Sequence, residues 1–222
     1  MWDIIFLSLK VASLAMVIVL PLAVATGYFL SRAGIIAKTL VSALVHLPLV
    51  MPPVVTGYAL LIVFGKNGWV GRWLADMGLG ISFSWIGAAV AAAVMAFPLV
   101  VRPIRLAFEQ VDGELVEMAA LLGAGGWRRF FTILAPLSGP GIVAGLVLGF
   151  AKALGEFGAT ITFVANIPDE TQTLSLAIYS LLQTPSGDDG AKTLILASIA
   201  LSVLAVVLAE VLMAVLEKRR DR

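Results

Sequence analysis

The stretch Glu117–Leu137, EMAALLGAGGWRRFFTILAPL, is a polar island in a chain that is otherwise nearly all apolar. Val111, Leu115, Ala119 and Leu122 recur at helical spacing, which predicts a short amphipathic helix over 112–122. Asp112 can cap its first turn, and Glu114 and Glu117 lie near the positive end of its dipole. Gly123, Gly125 and Gly126 then break it, with Gly123 placed for a left-handed terminus. Trp127–Leu134 predicts a second short helix, ended by Pro136. A helix–glycine turn–helix with one apolar stripe suits docking on a partner. The residues alone leave an ordinary connecting loop equally open.

Outward from this island the chain reads as membrane. Of 222 residues, 60% are hydrophobic and 13% charged, with a mean hydropathy of +1.03. Soluble domains carry roughly 25% charged residues. The apolar runs are long and do not alternate, so the class is a polytopic all-α membrane protein rather than a barrel. Absence of cysteine excludes a disulfide framework, a thiolate nucleophile and a cysteine metal site. The single histidine, His46, cannot build a histidine metal cluster. No Lys-Ser/Thr follows the glycines at 123, 125 and 126, so there is no nucleotide loop. No nucleophile–base pair is present either, and the chain is not expected to be an enzyme. A net charge of +1 gives no reason to expect a nucleic-acid partner.

Five spans are predicted, over about 11–30, 39–64, 84–101, 137–156 and 193–216, in one transmembrane domain, with a loop over 107–136 that carries the island. Arg102, Pro103 and Arg105 are expected to stop the third span. Lys66–Phe83 reads as a Gly- and Trp-rich connector, and Ile161–Gly190 as a longer polar one. Ala23-Val24-Ala25 resembles a signal cleavage site. Cleavage there would leave four spans and carry the Arg-rich loop outside, against the positive-inside rule. With five spans and the N-terminus outside, the inner face holds Arg32, Lys38, Arg102, Arg105, Arg128, Arg129, Lys218, Arg219, Arg220 and Arg222. The outer face holds Lys66, Arg72 and Lys192, with Lys10 near its boundary. This bias places the docking loop and the C-terminus in the cytosol.

Two stretches within the spans are unusual. Leu47–Gly57 contains Pro48, Pro52 and Pro53 before Thr56. Proline removes backbone donors, and such backbone survives in a membrane only when packed in protein or lining a cavity. A static kink and a broken pore-lining helix both fit. Ala151–Ala159 contains Lys152 and Glu156, four residues apart and able to pair on one helical face. Counted from Ser138 at about 1.5 Å per residue, both fall in the outer half or at the outer edge of a core about 30 Å thick. A structural ion pair, a snorkelling lysine and a gate on a transport route all remain open. His46 reads as a polar packing residue, Trp69, Trp73 and Trp85 as an interfacial belt, and the Ala88–Ala93 run and the glycines of 139–149 as close-packing or dimer surfaces.

Glu117, Ala119, Gly123, Ala124, Trp127, Ile133 and Pro136 resemble the EAA loop of ATP-binding-cassette importer permeases, with Met118 and Ala135 as departures. The Pro52-Pro53 and Gly155–Ala159 segments are similar to those of molybdate and sulfate permeases. The resemblance covers nearly the whole chain and implies the transmembrane subunit of a type I importer, most like the molybdate permeases. Many relatives carry a further N-terminal helix, for which the five spans leave no room. What the resemblance implies is a multi-pass homodimer in the lipid of a bacterial or archaeal cytoplasmic membrane. It would have two cytosolic ATPases using ATP-Mg and an extracytoplasmic oxyanion-binding protein, with no cofactor bound by this chain. Coupling would fall to Glu117, Ala119, Ala120, Gly123, Ala124 and Trp127. Lys152, Glu156, Pro52, Pro53 and Thr56 would line or gate the route, which alternating access would open. A sulfate or tungstate permease is the nearer alternative. An ion-coupled carrier or channel without an ATPase is the more distant one.

Overall fold

The computed structural model describes residues 1–185 and 187–220; Ser186, Asp221 and Arg222 lie outside them, and only backbone is described for the basic run at 217–220. Every regular element among the described residues is helical. In chain order these are α1 Trp2–Arg32, α2 Ile35–Val50, α3 Pro53–Phe64, α4 Trp69–Asp76, α5 Trp85–Glu109, α6 Gly113–Leu121 and α7 Gly126–Arg129. A π-helical segment Phe130–Leu134 leads into α8 Ala135–Leu137, followed by α9 Gly139–Leu154, α10 Gly158–Val164, α11 Leu174–Leu182 and α12 Asp188–Arg220. Three helices are long and apolar enough to span a membrane, α1, α5 and α12, and counting the bent pairs α2–α3 and α7–α9 as one span each gives five.

The core is α5 laid between α1 and α9. Ala88, Ala89, Ala91, Ala92, Ala93 and Ala96 are all buried, so neighbouring backbones approach closely. Gly141, Gly145 and Gly149 form the matching i, i+4, i+8 stripe on α9. A Cβ on Gly141 or Gly149 would collide with Ala107 or Val100 of α5. These small residues are therefore consumed inside the chain rather than held for a dimer seam. Without water to drive helices together, this contact area is what binds α5 to α9.

Side-chain contacts set the two ends of the bundle. At one end the Lys10 ammonium sits 3.6 Å from the Trp85 ring centroid, and Ser8 accepts from the Leu174 N–H at 2.8 Å, tying α1 to α5 and α11. At the other end Tyr28 meets Phe108 and Phe130 edge-on, with centroids 5.8 and 5.4 Å away. Lys38 of α2 donates to Glu109 of α5 at 2.7 Å. α1 and α5 thus run the same way, and α2–α3 returns the chain between them.

Several sequence expectations change here. The helix of the third span does not end at Arg102, Pro103 and Arg105: α5 runs on to Glu109 through Pro98 and Pro103. Lys38 and Arg105 pair with the Glu109 carboxylate at its last turn. Pro136 does not end the second island helix; the helix continues to Leu137. The five-residue register of 130–134 accommodates a proline that lacks the donor for an ordinary turn. Lys66–Phe83 contains the helix α4, on which Trp69 and Trp73 are exposed, whereas Trp85 is engaged by Lys10. Ile161–Gly190 is more than the polar connector expected. It holds part of α10 and all of α11, and buries Phe163, Val164, Thr171, Leu174 and Leu176. Thr171 folds the turn between them, accepting from Ile167 N–H at 2.9 Å and donating to Ala165 O at 3.2 Å.

Candidate functional site: a capped helix end and two facing helix breaks

The island builds as its residues predict up to Gly126. Asp112 caps α6 by accepting from the Glu114 N–H at 2.9 Å. Gly123 adopts φ +82° beyond the helix. Its N–H donates to Ala120 O and the Ala124 N–H to Ala119 O, both at 2.9 Å, which is the six-to-one and five-to-two pairing of a left-handed helix stop. Ala119 and Ala120 therefore spend their carbonyls on the cap and present only methyl groups sideways. Val116 is the side chain of α6 that enters the core. Leu121, Leu122 and Trp127 are 89%, 83% and 79% exposed, and Met118 and Phe131 project as well. Glu117 is exposed beside them.

Behind α6 lies a polar cleft of about 300 Å³ whose lining includes Arg32, Lys38, Glu109, Glu117 and Arg129. Glu109 is held by Lys38 at 2.7 Å and by Arg105 at 2.9 Å, while Arg105 also donates to Ser42 at 3.1 Å. The sequence reading missed this knot. The i,i+4 spacing of Arg105 and Glu109 could have revealed half of it. Lys38, distant in sequence, could not have been found that way.

The second site arises where two breaks face each other. Between α2 and α3 the axis turns by 110° at Met51-Pro52, a break rather than a kink. Pro48 sits inside α2 without ending it. Between α9 and α10 the chain breaks at Gly155–Phe157. α3 and α10 pack closely together. A Cβ built on Gly158 would lie 2.7 Å from Pro53 Cβ, and one on Gly57 would lie 2.5 Å from Ala159 O. Both glycines are needed because backbone meets backbone there.

Glu156 lies in the α9–α10 break, not on the helix with Lys152. It still accepts from Lys152 Nζ at 2.5 Å, and its other oxygen accepts from the Ala159 N–H at 3.0 Å. Glu156 is 3% exposed, and the Lys152 side chain 29%. Thr56 is buried in the first turns of α3, and its hydroxyl has no hydrogen-bond partner in the structure. Lys152, Glu156, Pro53 and Thr56 are thus brought to one crossing, linked through Gly57, Gly158 and Ala159. His46 stands apart, donating from Nδ1 to Ser42 O in its own helix at 2.7 Å.

The crossing predicts a test by volume. Gly57→Val should force α3 off α10 and lower stability by about 1–3 kcal/mol, the cost of overpacking a close contact. Gly80→Val, where a Cβ meets nothing within 4 Å, serves as the tolerant control. Equal thermal unfolding of the two variants in detergent would show that the crossing is not tight.

Comparison with known proteins adds the following. Residues 12–222 match the family model described as "Binding-protein-dependent transport system inner membrane component". The chain is 51% identical over 222 residues to the "Molybdenum transport system permease protein ModB" of Escherichia coli (strain K12), covering 100% of this chain and 97% of that protein. It is 38% identical over 157 residues to the "Sulfate transport system permease protein CysT" of the same strain, covering 71% of this chain and 57% of that protein. Among solved structures, the MetNI methionine ABC transporter in an inward facing conformation superposes with a TM-score of 0.69 at 18% identity, covering 97% of this chain and 93% of that chain.

Proposed function

We infer the function from the premise that this chain belongs to the family of binding-protein-dependent transport inner membrane components. It is a permease of an ABC importer, and its substrate is molybdate. The capped α6–α7 element carries the coupling role: a rigid helix end with exposed Glu117, Leu121 and Leu122 that nothing among the described residues covers. A cytosolic ATPase docks there and supplies the ATP hydrolysis. The basic end of the bundle then faces the cytosol and the N-terminus faces outward, as the positive-inside rule prefers. A second copy completes the permease against the faces that α2 and α3 leave open, where Ile36, Leu40, Val54, Tyr58 and Ile62 are exposed. An oxyanion-binding protein delivers substrate at the outer end.

Movement would pass from α6 through the π segment and α8 to the 68° bend at Ser138. Beyond that bend α9 extends about 24 Å to the Lys152–Glu156 pair. The glycine stripe makes α5 and α9 move together. A push on α6 thus arrives at the two facing breaks, which are the parts of the membrane region without continuous helical bonding. Lys152 offers a cation for the oxyanion, and its pairing with Glu156 keeps the route closed at rest.

Uptake by proteoliposomes holding the permease, its ATPase and the binding protein tests this. Labelled molybdate should enter only with internal ATP-Mg, and tungstate should compete better than sulfate. Uptake driven by an ion gradient with the ATPase omitted would replace this reading with a carrier. The relative named for sulfate keeps a sulfate route as the second reading. It is favoured if sulfate competes at equal concentration.

A further inference from the structure

One face of α1 carries Pro21, Val24, Ala25, Tyr28 and Arg32, an i, i+3, i+4, i+7, i+11 stripe that is apolar until its last member. Its first four residues form one wall of a groove of about 730 Å³, and Trp127, Phe130 and Phe131 form the other. Trp127 and Phe131 are stacked at 6.0 Å with an interplanar angle of 14°, and both are well exposed. Such rings sit badly in water and well at a membrane interface. From Arg32 to Pro21 is 11 residues, or about 16 Å along the helix. That is about half of a hydrocarbon core about 30 Å thick, the depth of a single leaflet.

The groove has a charged mouth. Tyr28 lies under the Arg32 guanidinium, 5.6 Å from its ring centroid. Arg32 and Arg129 line the adjoining polar cleft, where Glu109 is already held by Lys38 and Arg105. Among the described residues neither Arg32 nor Arg129 makes a salt bridge, and the buried Nε of Arg129 has no partner at all. Glu117 is the remaining acid of that cleft.

We propose that this groove holds one anionic phospholipid of the cytosolic leaflet, with an acyl chain along the α1 stripe and the phosphate at Arg32 and Arg129. The proposal rests on the orientation given above. The lipid would wedge between α1 and the docking element, making coupling sensitive to the charge of the membrane. An apolar stripe one leaflet deep with cations at its interfacial end matches a phospholipid along its whole length. A second copy of the chain would leave those cations without counter-charge.

The test uses the permease–ATPase complex in phosphatidylcholine vesicles containing a minor fraction of brominated phosphatidylglycerol or brominated phosphatidylcholine. Subtracting the fluorescence of a Trp127→Phe complex isolates the Trp127 signal. Bromine on the anionic lipid should quench it at about five-fold lower fraction than bromine on the zwitterionic one, the preference one basic side chain provides near a membrane surface. Arg32→Gln should abolish that preference, Arg32→Lys should keep it, and Ala25→Phe should weaken quenching by both lipids by filling the groove. Equal quenching by the two lipids overturns the proposal. Absence of quenching by either also overturns it and indicates a protein cover. The measurement needs neither substrate nor nucleotide turnover, so a failed importer assignment and a failed lipid site give different results.

Discussion

Gly123→Val should cut ATP-driven uptake by about 5- to 150-fold while leaving membrane insertion intact. The position has φ +82°, and a Cβ there would touch nothing within 4 Å, so the fault lies in the backbone conformation rather than in a clash. A β-branched residue at positive φ is a rare outlier. Strain of this kind costs about 1–3 kcal/mol. Relief requires breaking the bonds from Gly123 and Ala124 to Ala120 and Ala119, which unwinds the end of α6 and moves Leu121 and Leu122. A shift of that size lowers the docking-competent population by about 5- to 150-fold. Gly123→Asn should be far milder, because asparagine tolerates the left-handed region. Glu117→Lys attacks the same surface by charge, placing a cation in the cleft already lined by Arg32, Lys38 and Arg129. Recovery of the ATPase with each purified permease variant measures the outcome. Normal recovery and uptake for Gly123→Val and Glu117→Lys would remove the docking assignment.

Lys152→Met should be the most damaging change at the crossing, worse than Glu156→Gln. The two partners are unequally buried: Glu156 is 3% exposed and the Lys152 side chain 29%. Removing the lysine strands a carboxylate away from water. Breaking such a buried pair costs about 3–5 kcal/mol. Removing the glutamate charge leaves a cation that can reach the interface along its stem. Glutamine also keeps an oxygen for the Ala159 N–H, preserving the start of α10. The double variant Lys152→Met with Glu156→Gln should therefore be more thermostable than Lys152→Met alone, and should regain ATPase activity that is no longer gated by substrate. Thermal unfolding in detergent and basal ATP hydrolysis by the complex read the two effects. If the double variant is no better than the lysine variant, the pair does not act as a unit.

How far the sequence could be read follows from what each feature depends on. Helix α6, its Asp112 cap and the left-handed Gly123 are local, set by a handful of consecutive residues, and all were legible. Three expected stops or loops were not. Pro103 and Pro136 sit inside helices because distant partners hold the surrounding turns: Lys38 on Glu109 in one case, and the packing of Phe130 on Tyr28 and Phe108 in the other. The polar letters of 161–190 disguised a buried segment, since Thr171 and Thr173 are buried within it. Thr171 spends its hydroxyl on the turn between α10 and α11, while Asp169, Glu170, Asp188 and Asp189 stay exposed.

Composition and periodicity by themselves determined a helical membrane protein, because 60% apolar residues in long runs have no other stable solvent than lipid. They also determined the capped helix α6 and its left-handed stop at Gly123, whose signals are written in adjacent residues. Tertiary structure alone decided that the Pro52-Pro53 break and the Gly155–Phe157 break meet, that Glu156 and not Lys152 is the buried partner, and that Tyr28 and Phe130 come to share one apolar groove. The first and last of those facts join residues about a hundred positions apart. Their contact depends on how α3 settles on α10 and the π segment on α1, and such surfaces exist only after the helices have packed.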